Sequence, residues 1–424
     1  MIDLRELKQR KAEIATNIAN RGMKVDLDAL VVLQEKRTAL LQEIEALRTK
    51  RNENAASMKQ KMEPEKRQAL IAEGKTIKEK ISLLEEQFST VDADYTNLAK
   101  QIPNYAHPDA PVGKLDTDNV QIKTWGEVPT FSFAPLDHVQ LAEQLDLIDF
   151  DTATKVSGSK FYYLKNEAVF LDLALQRYAL DILSAHGFTL TTTPDIAKEE
   201  ILEGIGFNPR GEESNIYALE GTGTCLIGTA EITLGGYHAN KILATEQLPL
   251  KLAGLSHCFR REAGAAGQYS KGLYRVHQFT KVEMFVYALP SQSEQIHQEL
   301  LAIEEEIFQG LGLPYRVVDT CTGDLGSPAY RKYDIEAWMP GRGTEGSYGE
   351  VTSTSNCTDY QARRLNIRYK EDSGKTAFLH LLNGTALAVS RALVAIFENF
   401  QMEDGSIRMP ASLVPYLGFS EIRR

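Results

Sequence analysis

The sequence predicts an α+β chain: an N-terminal antiparallel helical coiled-coil arm, then a domain built on an antiparallel sheet flanked by helices. Three observations carry this. Apolar positions recur at spacings of three and four on both sides of Pro64, the mark of two helices sharing a seam. Helical periodicity stops at PNYAHPDAPVGKLDTDN, which reads as a linker. Beyond it strands and helices interleave, and two apolar strands flank a Gly-rich break, which favours hairpin-connected, antiparallel pairing.

A chain of 424 residues with 43% apolar side chains is too long for one compact unit, so two domains are expected. The first spans 1–102 and carries the arm at about 27–102; a linker covers 103–119, and the second domain runs from 120 to 424. The first helical seam is Leu30, Leu33, Arg37, Leu40, Ile44, Leu47, Arg51, Asn54 and Met58. The second is Ile77, Ile81, Leu84, Phe88, Val91, Tyr95, Leu98 and Ile102. The first seam turns polar toward the tip, so the apolar contact thins as the hairpin extends.

Between Arg48 and Arg67 there are seven basic residues against three acidic ones, in a chain of net charge −11. Such a run is ordinarily a solvated helix face; the functional alternative is a lever that touches a polyanion with its tip. The overall acidity argues against a protein that coats nucleic acid. Cys225, Cys258, Cys321 and Cys357 are scattered with no CxxC pair, which disfavours a disulfide framework or a structural zinc. No apolar run approaches the roughly 18 residues of a membrane span, and Asp3, Glu6 and Glu13 do not suit a targeting leader. No membrane contact and a cytoplasmic location are expected. The phosphate-loop and dinucleotide-fold glycine signatures are both missing from the sequence.

The stretch SHCFRREAGAAGQYSKGLYRVHQFTKVEMF, residues 256–285, carries the densest chemistry. Arg275, His277, Phe279, Lys281 and Glu283 occupy alternate positions of one run, and Arg260 and Glu262 lie two apart on its partner, so each set is expected on one sheet face. Gly264, Gly267 and Gly272 bracket a connection of roughly ten residues that reads as a hairpin loop. A charged alternating face is ordinarily solvated, but a water-facing row gains nothing from Phe279 at its centre. A planar base between that ring and an arginine gains about 1–3 kcal/mol, and guanidinium forks suit phosphate oxygens. A purine nucleotide is the ligand this face suggests. Three more segments share its polar chemistry: CLIGTAEI at 225–232, YGEVTSTSNCTDYQARR at 348–364 and LLNGTALAVSRALVAIFENFQ at 381–401. In the last, HLL reads as strand, NGT as turn and the remainder as an amphipathic helix bearing Arg391. Taken singly, Glu231, Glu283, Glu350 and Arg391 read as ordinary salt-bridge partners.

Taken together, these segments resemble the seryl-tRNA synthetases, within the class II aminoacyl-tRNA synthetases, over nearly the whole chain. CFRREAG followed by GLYRVHQFTKVE is similar to the family's motif 2, LNGTALAVSRALVAIFENFQ to motif 3, and RYALDILSAHGFTLTTTPDI to the dimer-forming motif 1. TAE at 229–231 and the helical arm are similar to features of the serine enzymes. The resemblance implies a class II synthetase catalytic domain that activates L-serine with ATP to seryl-adenylate. The seryl group then passes to tRNA(Ser), in a homodimer; whether tRNA(Sec) is a second acceptor stays open. It implies ATP on Arg260, Arg261, Glu262, Val276, Phe279, Glu350, Val351, Thr352, Ser353 and Arg391, with Arg260, Glu350 and Arg391 catalytic. Mg²⁺ with its ATP phosphates falls to Glu350 and Ser353, hard oxygen ligands of the kind that ion requires. Thr229, Ala230, Glu231, Arg260, Glu283, Asn383 and Thr385 make the implied serine pocket, where carboxylates suit an ammonium group. Arg48, Lys50, Arg51, Lys59 and Lys61 are the implied tRNA contacts, and His277 reads as structural.

The sequence departs from the family's pattern in places. Gly228 stands where many members have proline, Ala265 and Ala266 replace bulkier residues, and GRGTEGSYG lengthens the approach to Glu350. Two other readings stand beside the main one. A paralogue that loads a carrier protein has no use for a basic-tipped arm, and an inactive scaffold has no reason to keep so many charges in one site.

Overall fold

The computed structural model describes residues 1–208, 214–263 and 269–424; Gly264, Ala265, Ala266 and Gly267 lie outside the described residues. The chain divides into two compact units, Met1–Pro103 and Asn104–Arg424. In the first, a short helix α1 (Lys11–Asn20), which the periodicity does not single out, precedes α2 (Leu27–Ser57) and α3 (Pro64–Ala99). Asp26 caps α2 by accepting the Ala29 N–H at 2.9 Å, satisfying one of the free donors of the first turn. Pro64 opens α3, where its missing N–H costs nothing.

The two long helices meet through Leu30, Ile44, Ile77, Ile81 and Leu84, all buried. Arg37 keeps its expected seam position by stacking on Phe88 and Tyr95, 5.4 and 5.6 Å from the ring centroids, and by pairing with Asp92. Near the tip Asn54 is buried and donates to Leu70 O and Glu73 Oε2, each at 3.1 Å. Arg51 corrects the expected seam: it is exposed. An arginine buried there needs a carboxylate of its own, and Glu73 already accepts from Asn54.

The second unit is built on an eight-stranded sheet. In chain order its strands are β1 (Val120–Trp125), β2 (Thr189–Thr192), β3 (Leu250–Phe259), β4 (Gln278–Ala288), β5 (Tyr315–Asp319), β6 (Arg331–Met339), β7 (Ser347–Asn356) and β8 (His380–Ala388). Their spatial order is β1-β5-β6-β7-β8-β4-β3-β2. Every neighbouring pair is antiparallel except β2 beside β3. The helices that matter below are α4 (His138–Gln144), α5 (Glu167–Ala185), α6 (Glu231–Gly236), α7 (Ser293–Gly310), α8 (Tyr360–Leu365) and α9 (Val389–Asn399). The main apolar core joins α5, α7 and α9 to the sheet through residues such as Leu175, Tyr178, Met284, Ile307, Phe308, Leu393 and Phe397.

The stretch read as a linker lies along this unit. Asn104 N–H donates to Ser327 O at 2.9 Å, His107 N–H to Tyr330 O at 2.8 Å, and Pro111 O accepts from Thr322 N–H at 2.8 Å.

Two local expectations are corrected. The connection between β3 and β4 covers residues 260–277, well beyond the ten or so expected of a hairpin loop, so Arg275 and His277 precede the strand and do not share its alternation. His277 turns away, its Nδ1–H donating to Arg260 O at 2.8 Å, and packs beside Phe161 and Tyr217. The NGT at 383–385 is not a turn but the middle of β8. A Cβ at Gly384 would lie 2.8 Å from Glu304 Oε1 of α7, so the glycine is there to let that helix approach the sheet.

Candidate active site

β4 and β8 pair with Glu283 opposite Thr385, and β7 and β8 pair with Ser355 opposite Asn383. Paired residues point to one side of a sheet, so one face gathers Phe279, Lys281 and Glu283 from β4 with Asn383 and Thr385 from β8. The wall of the resulting cleft, about 170 Å³, is completed by Thr229, Glu231, Arg260, Glu262, Arg275, Val276, Glu350, Val351, Thr352, Ser353 and Arg391.

Polar groups of opposite kinds occupy the two ends. At one end Lys281, buried, pairs with Glu283; its ammonium donates to Thr229 Oγ1 at 2.7 Å and to Thr385 Oγ1 at 3.3 Å. The Thr385 hydroxyl donates to Glu283 Oε2 at 3.3 Å. Glu231 Oε1 accepts from Gln361 Nε2 on α8 at 2.7 Å and from Asn383 Nδ2 at 3.0 Å. Burial, with the nearby Glu283 charge adding to it, pushes the Glu231 carboxyl up to about 7 against those donors. This end pairs carboxylates with short hydroxyls on largely buried side chains.

Arginines line the other end. Arg260 has its Cζ 5.3 Å from the Phe279 ring centroid and its Nε donates to Gly228 O at 3.2 Å. Any residue at 228 supplies that carbonyl, so the family's proline and this glycine serve it equally. Arg275 Nη1 donates to Glu262 Oε2 at 3.3 Å. Arg391, on the first turn of α9, lies 4.9 Å from the Tyr274 ring centroid; its Nη1 donates to Glu350 O at 3.0 Å and pairs with Oε1 at 3.1 Å. Burial opposes charge on Glu350, yet Arg391, Lys332 and Arg260 together hold its carboxyl below the ordinary range. The site therefore offers stacking and phosphate-binding cations beside a partly exposed carboxylate.

Most of the expected site residues meet in this cleft. Two do not line it. Ala230 has its side chain in the apolar cluster with Leu234 and Leu252, because it sits just before α6 and packs beneath it. Arg261 is exposed, its backbone N–H donating to Asn215 O at 2.9 Å, since the chain has left the strand there and neighbours no longer share a face. Sequence reasoning left out Lys281, Tyr274, Arg275, Phe207 and Ser390, which line the cleft, and Gln361, which orients Glu231. Lys281 and Arg275 carried a usable signal, since both stand in the charged row beside Phe279; Tyr274 and Phe207 come from connections with no period to read, whereas Ser390 and Gln361 sit on the helices α9 and α8. In the first unit, Lys50, Arg51, Lys59 and Lys61 are exposed, and Arg48 pairs with Glu85 at 2.8 Å.

An antiparallel sheet whose cleft sets an arginine against a phenyl ring, with a second arginine on the helix that follows β8, is the arrangement expected of a class II aminoacyl-tRNA synthetase core. Residues 218–400 match the model of the tRNA synthetase class II core domain (G, H, P, S and T). Residues 1–106 match that of the seryl-tRNA synthetase N-terminal domain. The serine–tRNA ligase of Treponema denticola is 63% identical over 422 residues, covering 100% of both chains. The crystal structure of seryl-tRNA synthetase from Pyrococcus horikoshii complexed with ATP superposes with a TM-score of 0.90 at 42% identity, covering 100% of this chain and 99% of that one. The cytoplasmic serine–tRNA ligase from Naegleria fowleri in complex with AMP gives 0.83 at 31%, covering 97% and 95%. The chain belongs to the seryl-tRNA synthetase family.

Proposed function

We propose that the chain activates L-serine with ATP and transfers the seryl group to tRNA(Ser). The observation that carries this reading is the polarity of one cleft: carboxylates and threonine hydroxyls at one end, arginines and a phenyl ring at the other. A serine carboxylate oxygen attacks the α-phosphorus of ATP, the bond to the bridging oxygen breaks, and pyrophosphate leaves. The terminal ribose hydroxyl of the tRNA then attacks the seryl carbonyl carbon, gives up its proton, and AMP leaves. A carboxylate is already a nucleophile, so the chain's residues position reactants and stabilise charge.

Phe279 stacks the adenine; Arg260, Arg275 and Arg391 meet the phosphates, and Glu262 orients Arg275. Glu231 and Glu283 hold the serine ammonium, and Thr385 with Glu283 meets the hydroxyl. Glu350 and Ser353 suit Mg²⁺, since both offer hard oxygens and the Glu350 side chain is 45% exposed. When bound with ATP, that ion would draw charge from the phosphate oxygens.

Exposed Val169, Phe170 and Leu173 on α5, with Leu190 on β2, form an apolar surface in and beside the stretch similar to motif 1, and we assign it to a homodimer contact. The exposed cations near the arm tip are assigned to tRNA. The arm at about 27–102, linker 103–119 and catalytic domain 120–424 are the working division. Among the described residues no helix is long and apolar enough to cross a membrane, and a cytoplasmic location suits the substrates.

The purified chain is expected to exchange labelled pyrophosphate into ATP only when serine is present, and to charge total tRNA with serine. Exchange without serine, or with none of the amino acids, contradicts the reading.

A further inference from the structure

Two fully buried groups outside the cleft reach its walls. His138 opens α4 and Glu398 lies near the end of α9, and both side chains are 0% exposed. Glu398 Oε1 accepts from the His138 backbone N–H at 3.1 Å and lies 2.7 Å from the ring Nδ1. Its Oε2 accepts from the Gly341 N–H at 2.8 Å. The other ring nitrogen of His138, Nε2, accepts from the Leu273 N–H at 3.2 Å. A nitrogen that accepts carries no proton, so the Leu273 bond assigns the ring hydrogen to Nδ1, where it donates to Glu398. Lys271 pairs with Asp137, the residue before His138.

Three segments meet at this pair. The first is the return limb of the β3–β4 connection, residues 271–275, which ends in Arg275. The second is the turn after β6, where Arg342 follows Gly341 and lies between Tyr269 and Tyr274, 4.6 and 4.7 Å from their centroids. Tyr274 in turn donates its hydroxyl to Glu350 O at 3.2 Å. The third is α9, which carries Arg391 two turns before Glu398. The limb bearing one phosphate-facing arginine is thus tied to the helix bearing the other by the buried imidazole, beside the packing of Tyr274 against Arg391.

We propose that His138 and Glu398 are positioning residues for the triphosphate: the buried pair clasps the return limb to α9 and so fixes the spacing of Arg275 and Arg391. This rests on the ATP reading above. Neither residue touches the cleft, so the clasp acts only through the limb. Gly272 is the point at which to open it. Its φ is +53°, and a Cβ there would stand 2.2 Å from His138 Nε2 and 2.6 Å from Val139 Cγ2. Gly272→Ala therefore pushes the limb off the imidazole without altering any residue assigned to the serine end.

The test is calorimetric titration of a non-hydrolysable ATP analogue and, separately, of serine, into wild type, Gly272→Ala, His138→Ala and the double variant. Each single change is expected to weaken the analogue by about five- to tenfold, the value of one hydrogen bond between uncharged groups. Serine affinity is expected to stay within about threefold of wild type. In the double variant the two losses are expected to fall well short of multiplying, because both break one contact. Unchanged analogue affinity in Gly272→Ala, an equal loss for serine, or losses that multiply would overturn the clasp. Should His138→Ala fail to fold, Gly272→Ala alone decides by the first two criteria. A wild-type protein that does not bind the analogue overturns the ATP reading itself, whereas binding in wild type with no change in Gly272→Ala overturns the clasp alone.

Discussion

The arm and the cleft both concentrate cations in an acidic chain, and they hold them in opposite ways. Along the arm, Lys50, Arg51, Lys59 and Lys61 are exposed. Exposed pairs are worth about 0–1 kcal/mol and are screened by salt, so such charges suit a long polyanion met at many weak points. In the cleft, Lys281 is buried against Glu283, Thr229 and Thr385, and Arg391 is held on Glu350. Buried charge is costly unless each group has a partner in fixed geometry, so these groups suit one small ligand of definite shape. The comparison teaches that the same residue types read a polymer in one region and a metabolite in the other, and that burial decides which.

The largest expected effect lies at the cleft's most buried end. A pocket whose buried groups pair with a substrate hydroxyl rejects the analogue lacking it by roughly 10⁴–10⁵, so alanine should exchange pyrophosphate that much more poorly than serine. Thr385→Ala removes one hydroxyl partner and opens room for a methyl; it should lower kcat/KM for serine and narrow the gap to both alanine and threonine. An equal loss on all three amino acids, measured by exchange, would mean that Thr385 supports the site without reading the side chain.

Next in size is the aromatic ring. Phe279→Ala should weaken ATP by about 1–3 kcal/mol, the value of a lost base stack, while serine affinity holds. Titration with each ligand decides it, and a matching loss for serine would make Phe279 a packing residue.

The smallest effect is a pH dependence. Burial and Glu283 push the Glu231 carboxyl up to about 7, so it is protonated below that pH and charged above it. An ammonium ligand prefers the charged form, and KM for serine should fall about tenfold between roughly pH 6 and 8 as the ionised fraction grows. In Glu231→Gln this limb should vanish. A wild-type KM that is flat over the window would remove Glu231 from ammonium binding.

How much of this was legible depended on whether a residue sat in a regular element. Phe279 and Glu283 fall on one face of β4 as alternation requires, and Arg37 keeps its place in the helical seam because Phe88 and Tyr95 receive it. Arg275 and His277 extend the same written alternation but lie before the strand, and nothing local marks that break. Asn383-Gly384 carries a strong turn signal, yet here it is strand, because the approach of Glu304 demands a glycine. Tyr274 and Gln361 enter the site through a connection and a separate helix, contacts of long sequence separation that no period encodes. On the arm the exposed tip charges were readable from composition alone, whereas the Asn54 bond to Glu73, which leaves Arg51 in solvent, depended on the partner helix's register.

The central claim is that the two regions divide the work, recognition of the polymer by the arm and activation of the amino acid by the cleft. Every residue assigned here to ATP or serine lies after residue 228, while the concentrated positive charge lies before residue 70. Removing residues 40–90 and closing the gap with a short loop, then measuring serine-dependent pyrophosphate exchange and tRNA charging on the same preparation, tests that division. The account predicts exchange at the wild-type rate with charging lost; loss of exchange together with charging would contradict it.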